Sequence, residues 1–206
     1  MKTKILVSRS VFPEVIARLS EHFEVDYQDE DAPLPPAQLA ARLADKQGAL
    51  TMISDRVDAT TLAGAPGLKA VCNVAVGYNN LDLEALSRAG VMATNTPGVL
   101  DDTTADIAWA LIMSSARHVV AADKWVRAGQ WKGWKFHDNW LGNDVHHATL
   151  GILGMGRIGQ AVARRAAGFE MRVIYHNRSR LNEADESTCR AQWVDKEALL
   201  SQADFL

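Results

Sequence analysis

The run Gly154-Met155-Gly156-Arg157-Ile158-Gly159 follows the apolar segment TLGIL and opens the amphipathic stretch RIGQAVARRA. A strand that turns through glycines into a helix presents unpaired backbone N–H groups, which suit an anion. Gly154 takes the tight turn and Gly156 lets the backbone approach a pyrophosphate. Gly159 lets the helix pack close to the strand. The competing reading is a tight strand–helix turn that holds no ligand. About 20 residues on, a fold of this kind that takes the unphosphorylated dinucleotide carries an acidic side chain for the ribose hydroxyls. This chain instead reads Tyr175-His176-Asn177-Arg178-Ser179-Arg180. Arginines and a serine hydroxyl can bind a 2′-phosphate through charge-assisted hydrogen bonds, whereas a carboxylate repels it. The expected cofactor is NADP, as NADPH, with NAD as the second candidate. The alternative for this loop is a solvated basic strand end.

The elements that must hold these groups fall into two series. KILVS, FEVDYQ, GALTMI, AVCNVAV and VMATNT read as strands. PEVIARLSEHF, PPAQLAARLADK, DATTLAGAPGLK and LDLEALSRAG read as the helices between them, the last closed by Gly90. Val15, Ile16, Leu19 and Phe23 have the spacing of one helical face. Alternation at this pitch implies a parallel sheet with crossover helices. After TPGV, residues 102–127 read as one long helix with Ile107, Leu111, Ile112 and Val119 near one face, and with Asp101, Asp102, Thr103 and Thr104 available as caps. An aromatic connector leads to a second series: TLGILG, RIGQAVARRAAG, MRVIYHN, KEALLSQ and ADFL. The expected domains are 1–99 and 100–206.

Composition narrows the function. The 206 residues are 48% hydrophobic and 23% charged, with a net charge of −3, which fits a globular protein and gives no sign of nucleic-acid binding. No apolar stretch approaches a membrane span, and MKTKILVSRSVFPE turns polar too early for a secretory signal, so a cytoplasmic protein is expected. Cys72 and Cys189 lack metal spacing and read as buried, reduced thiols. His146 and His147 form no metal pair, since neighbouring side chains are expected to point apart, and no metal is expected. His22, His118 and His137 read as surface or structural residues.

Taken in order, NVAVGYNNLD (73–82), TNTPGVLDDTTADIAWALIMSSAR (94–117), WLGNDVHHATLGILGMGRIG (140–159) and VIYHNRSR (173–180) resemble the D-isomer-specific 2-hydroxyacid dehydrogenases. Within that family the chain is most similar to the glyoxylate/hydroxypyruvate reductases, including those described as 2-ketogluconate reductases. The resemblance implies an α/β protein: a flavodoxin-like substrate domain followed by an incomplete Rossmann cofactor domain, with a dimer arm at about 100–148 and a homodimeric assembly. It implies that backbone N–H groups at Val76 and Gly77 hold the carboxylate of a small 2-keto acid. Thr104 would lie near the nicotinamide, and the main chain of Arg157 and Ile158 would hold the pyrophosphate. The plainer roles are a turn glycine at Gly77 and a helix cap at Thr104. Trp131, Trp134 and Trp140 would pack in the dimer contact, with Trp140 the one able to reach a neighbour's pocket.

Reduction of a keto group also needs a cation to polarise the carbonyl and a proton donor. The family supplies these as an arginine, a glutamate and a histidine beyond the strand that ADFL begins, so no catalytic residue is assigned within this chain. The chain by itself is expected to be inactive, and poorly soluble or partly molten because a half-built sheet exposes apolar edges. A non-catalytic dinucleotide-binding protein acting through protein contacts is the alternative.

Overall fold

The computed structural model describes residues 2–136 and 140–206, so His137 lies outside the described residues. Two compact units are present, Met1–Gly98 and Val99–Leu206, each with its own hydrophobic core.

In the first unit, β1 (Thr3–Val7), α1 (Pro13–His22), β2 (Phe23–Tyr27), α2 (Pro36–Leu43), β3 (Gly48–Met52), α3 (Ala59–Ala63), β4 (Ala70–Val74), α4 (Leu83–Ala89) and β5 (Met92–Thr94) alternate along the chain. All strand pairs are parallel, in the order β2-β1-β3-β4-β5, which is the flavodoxin-like order. Local chemistry starts and stops the helices. Pro13 and Pro36 occupy first-turn positions, and the Asp58 and Asp82 carboxylates accept from backbone N–H groups of α3 and α4. Gly90 ends α4 in the left-handed region at φ 66°.

Leu6, Leu39, Leu43, Val57, Val71 and Leu86 form the centre of this core. Successive strand residues face opposite ways, so Val71 and Asn73 of β4 are buried while Cys72 and Val74 are exposed. Cys72 is therefore not the buried thiol expected from sequence. It lines an apolar groove of about 350 Å³ with Ile5, Leu19, Phe23 and Leu50. Helix α1 buries none of its residues completely, despite the spacing of Val15, Ile16 and Leu19.

The second unit contains α5 (Asp101–Ala116), α6 (Val119–Arg127), β6 (Thr149–Leu153), α7 (Arg157–Ala166), β7 (Arg172–His176), α8 (Glu183–Cys189), β8 (Ala191–Trp193) and α9 (Lys196–Gln202). Its parallel sheet runs β6-β7-β8, and Phe205 forms an isolated parallel bridge to Leu150 on the free side of β6. Together these give the start of a Rossmann order, with the chain crossing to the other side of β6 after β8. ADFL is thus a single bridge rather than a strand among the described residues.

Four expectations change here. Residues 102–127 form two helices, because His118 turns left-handed at φ 54° and Asn143 N–H takes the Ala116 carbonyl at 2.8 Å. The buried face of α5 is Ala105, Trp109 and Ala116, whereas Ile107 and Leu111 are 57% and 64% exposed. Among the described residues no side chain caps α5; Leu100 is its N-cap residue, and Asp101 and Asp102 lie within its first turn. Helix α8 and strand β8 were not expected, since EADESTC is polar and β8 has only three residues.

Trp109 fastens α5 to α7 and to the turn that follows it. Its ring stacks on Phe169 with centroids 4.7 Å apart, and its Nε1–H donates to the Val162 carbonyl at 3.0 Å. Trp109→Phe should cost about 1 kcal/mol through the lost hydrogen bond, and Trp109→Ala about 3–5 kcal/mol through the cavity. Denaturant unfolding should rank them in that order; equal losses would contradict this account.

Candidate functional site

The glycine turn sits at the carboxyl end of β6. Gly154 adopts φ 104°, and Gly156 is the N-cap residue of α7. A side-chain carbon at Gly159 would fall 2.4 Å from the Gly154 carbonyl oxygen, so only glycine lets α7 approach the turn. At Gly154 and Gly156 such a carbon would meet nothing within 4 Å, leaving open space over the turn. The Gln160 N–H makes the first α7 bond, to Gly156 at 2.9 Å. The N–H groups of Arg157, Ile158 and Gly159 have no acceptor among the described residues. These donors and the positive end of the helix dipole favour an anion.

The strand-end loop is tied to this turn. Asn177 Oδ1 accepts from the Met155 N–H at 2.7 Å, and the Asn177 carbonyl accepts from Trp193 Nε1 at 3.2 Å. Arg180 reaches away: its Nε and Nη2 donate to the two carboxylate oxygens of Glu186 at 2.8 and 2.6 Å. The Tyr175 hydroxyl donates to the same carboxylate at 2.6 Å and accepts the Leu181 N–H at 2.9 Å. Arg178 and Ser179 are exposed and have no partner among the described residues. Of the four loop residues singled out in sequence, two therefore brace the loop and two stand free.

Thr104 is half-buried in the first turn of α5, where Asp102 and Asp106 pair with Arg165 of α7. No hydrogen bond joins it to the glycine turn among the described residues. Trp140 packs on Trp125 with centroids 5.1 Å apart, and Trp131 and Trp134 are exposed. The rings of His146 and His147 meet edge to face at 5.0 Å rather than pointing apart. No cluster of three metal-ligating side chains occurs among the described residues.

In the first unit, the loop after β4 carries Val76 and Gly77. Three successive carbonyls are bonded there. Ala75 accepts from Thr96 N–H at 2.9 Å, Val76 from Asn95 Nδ2 at 2.8 Å, and Gly77 from Asn73 Nδ2 at 3.0 Å. In a trans peptide the N–H points opposite to the carbonyl it shares a plane with. The N–H groups of Val76, Gly77 and Tyr78 thus face away from these partners, and none has an acceptor among the described residues. Successive N–H groups left without an acceptor are donors that an anion can use. Beneath the loop, the side-chain amides of Asn73 and Asn80 pair reciprocally at 3.3 and 3.1 Å. Asn80 also donates to the Met52 and Asp55 carbonyls, and buried Asp55 accepts from Ser8 and from the Met52 N–H. The asparagines of CNVAVGYNN and TNTPG are the sequence signal for this support, because their amides serve as both donors and acceptors.

The Arg180 fork, then the Tyr175 hydroxyl, hold the Glu186 carboxyl down at about 2, against 4.5 for an ordinary glutamate. A depressed carboxylate stabilises the fold above its unfolded pKa and loses that contribution as pH falls through the folded value. The stability gap between the parent chain and Glu186→Gln should therefore shrink from pH 4.5 toward pH 2. Urea midpoints across that range would measure it, and a constant gap would contradict the assignment.

The family described as D-isomer specific 2-hydroxyacid dehydrogenase, NAD binding domain, matches residues 109–206. A glyoxylate reductase of Thermococcus kodakarensis is 44% identical over 209 residues, covering 100% of this chain and 62% of its own length. A solved dehydrogenase from Rhizobium meliloti is 30% identical with a TM-score of 0.75, covering 97% of this chain and 67% of that one. The NADPH-dependent glyoxylate/hydroxypyruvate reductase SMc04462 of Sinorhizobium meliloti is 28% identical with a TM-score of 0.78, covering 94% and 58%. The chain thus spans about three-fifths of the length of the curated relatives it matches, and no helix among its described residues is long and apolar enough to cross a membrane. It belongs to the D-isomer specific 2-hydroxyacid dehydrogenase family.

Proposed function

We propose that this chain is the substrate- and cofactor-holding part of an NADPH-preferring reductase of small 2-keto acids such as glyoxylate, hydroxypyruvate or 2-ketogluconate. The observation that carries the reading is the unpartnered Arg178–Ser179 pair beside a glycine turn whose helix-end N–H groups are unbonded. A phosphorylated dinucleotide fits this set. The open space over Gly154 and Gly156 admits a pyrophosphate against the N–H groups of Arg157 and Ile158, and Arg178 and Ser179 would take the 2′-phosphate. Asn177 stands where an acid would hold the ribose of the unphosphorylated cofactor, and Arg180 fixes the loop through Glu186. When bound, the reduced nicotinamide supplies the hydride for the keto carbon.

The N–H groups of Val76 and Gly77 would hold the substrate carboxylate, and Thr104 would lie toward the nicotinamide. Polarisation and protonation of the carbonyl are assigned to the family's arginine, glutamate and histidine, none of which we assign among residues 1–206. A substrate domain at 1–99 and a cofactor domain at 100–206 would divide this work. Exposed Ile107, Leu111, Val119 and Val120 in the segment proposed as a dimer arm support a homodimer. Two free cysteines fit a reducing, cytoplasmic setting.

Nicotinamide fluorescence titrations test the cofactor reading. NADPH should bind this chain more tightly than NADH. Arg178→Ala should weaken NADPH about tenfold, equivalent to ~1.4 kcal/mol, and leave NADH within about twofold. Asn177→Asp keeps an acceptor for the Met155 N–H while adding a negative charge, so it should shift the preference toward NADH. Equal affinities for the two cofactors in the parent chain would overturn the proposal.

A further inference from the structure

The carboxylate reading of the 76–78 loop raises a physical difficulty. A peptide unit in an exposed loop can rotate, and rotation would turn a carbonyl oxygen toward the anion in place of the N–H. Something must hold the oxygens down. The structure offers a separate donor for each one, and two of the three are side-chain amides from outside the loop.

We propose that Asn95 and Asn73 are positioning residues for the 2-keto acid, and that Tyr78 N–H adds a third donor to those of Val76 and Gly77. The inference rests on the reading that this loop takes the substrate carboxylate. Asn95 Nδ2 fixes the Val76 carbonyl and thereby aims the Gly77 N–H, which shares its peptide plane. Asn73 Nδ2 fixes the Gly77 carbonyl and thereby aims the Tyr78 N–H. Asn73 is itself held rigid. It is 1% exposed, its Nδ2 also donates to Asn80 Oδ1, and its Oδ1 accepts from both Asn80 Nδ2 and the Thr51 hydroxyl. A buried amide with every donor and acceptor engaged has one orientation. The opposite orientation of either asparagine would set oxygen against carbonyl oxygen, so the donor role is dictated by chemistry.

The difference between the two asparagines guides the test. Asn73 lies in the core network, and replacing it endangers the fold. Asn95 is half-buried at the end of β5 and makes the separable contact. Asn95→Asp keeps the size and removes the amide donor; Asn95→Ala removes the group; Asn95→Gln keeps an amide on a longer arm. Gly77→Pro deletes one of the anion-facing N–H groups. Gly77→Ala is its control, because a side-chain carbon there would meet only Ile53 Cδ1 at an ordinary 3.6 Å.

Glyoxylate would be titrated into the nitrogen-15-labelled 206-residue chain, following the amide resonances of Val76, Gly77 and Tyr78. All three should move saturably in the parent chain. Asn95→Asp and Asn95→Ala should weaken the apparent affinity about tenfold or more, and Asn95→Gln should recover part of it. The thermal midpoint and NADPH affinity should stay near those of the parent. If Gly77→Pro abolishes the response while the Asn95 variants titrate like the parent, the positioning role is overturned and the carboxylate site stands. If Asn95 replacement weakens NADPH and glyoxylate binding together, the residue is merely structural and the inference fails. If the parent's three amides show no saturable shift, the carboxylate reading is overturned, and the positioning role with it.

Discussion

A backbone N–H that is to receive an anion must be left without a protein acceptor, and the peptide plane carrying it must be prevented from turning over. Both candidate sites meet this constraint. At 154–159 the start of α7 leaves the N–H groups free by helix geometry, and the α-helical bonds that follow hold them in place. At 76–78 no helix is available, so each carbonyl is tethered individually, by the Thr96 backbone and by the amides of Asn95 and Asn73. A helix end is rigid by cooperativity. A loop needs one tether for each peptide.

The strand-end loop beside the glycine turn answers a related problem with charge. Several basic groups crowded together would repel one another and splay. Arg180 avoids this by forking onto Glu186, whose carboxylate also holds the Tyr175 hydroxyl, and the Leu181 N–H caps that hydroxyl in turn. One arginine thus fixes the loop's shape and the other remains without a partner among the described residues. Arg and Glu adjacent to a buried tyrosine form a stronger brace than an exposed ion pair, because the carboxylate is only 10% exposed.

The two sheets differ in how completely their layers cover them. In the first unit α2, α3 and α4 contribute to or frame the core beneath one face, whereas the other face leaves Cys72 and Val74 exposed and carries the apolar groove between Leu19, Phe23 and Leu50. Parallel sheets are ordinarily buried on both faces. The free side of β6 in the second unit is met by the short final segment, through the Leu150–Phe205 bridge and backbone bonds from Asp204 and Phe205 to Thr149. A carbon at Gly151 would strike Ala203 at 2.6 Å, so the final segment already packs tightly against β6 there.

Much of this was legible in order along the chain. The alternation of short apolar runs with capped helices determines a parallel α/β fold, because those periodicities and capping residues act locally. Glycines at 154, 156 and 159 after an apolar run likewise determine a strand–turn–helix, since their roles are set by backbone sterics. The sequence could not reveal that α5 breaks at His118, because the partner that closes it, Asn143, lies 27 residues from Ala116. It could not rank the loop arginines, since Arg178 and Arg180 are chemically alike and only Glu186 tells them apart. Nor could it single out Asn73, Asn80 and Asn95, whose function depends on which carbonyl each amide meets. Local propensity decides the elements. Long-range hydrogen bonds, which exist only once distant residues share a surface, decide which polar groups stay free to bind.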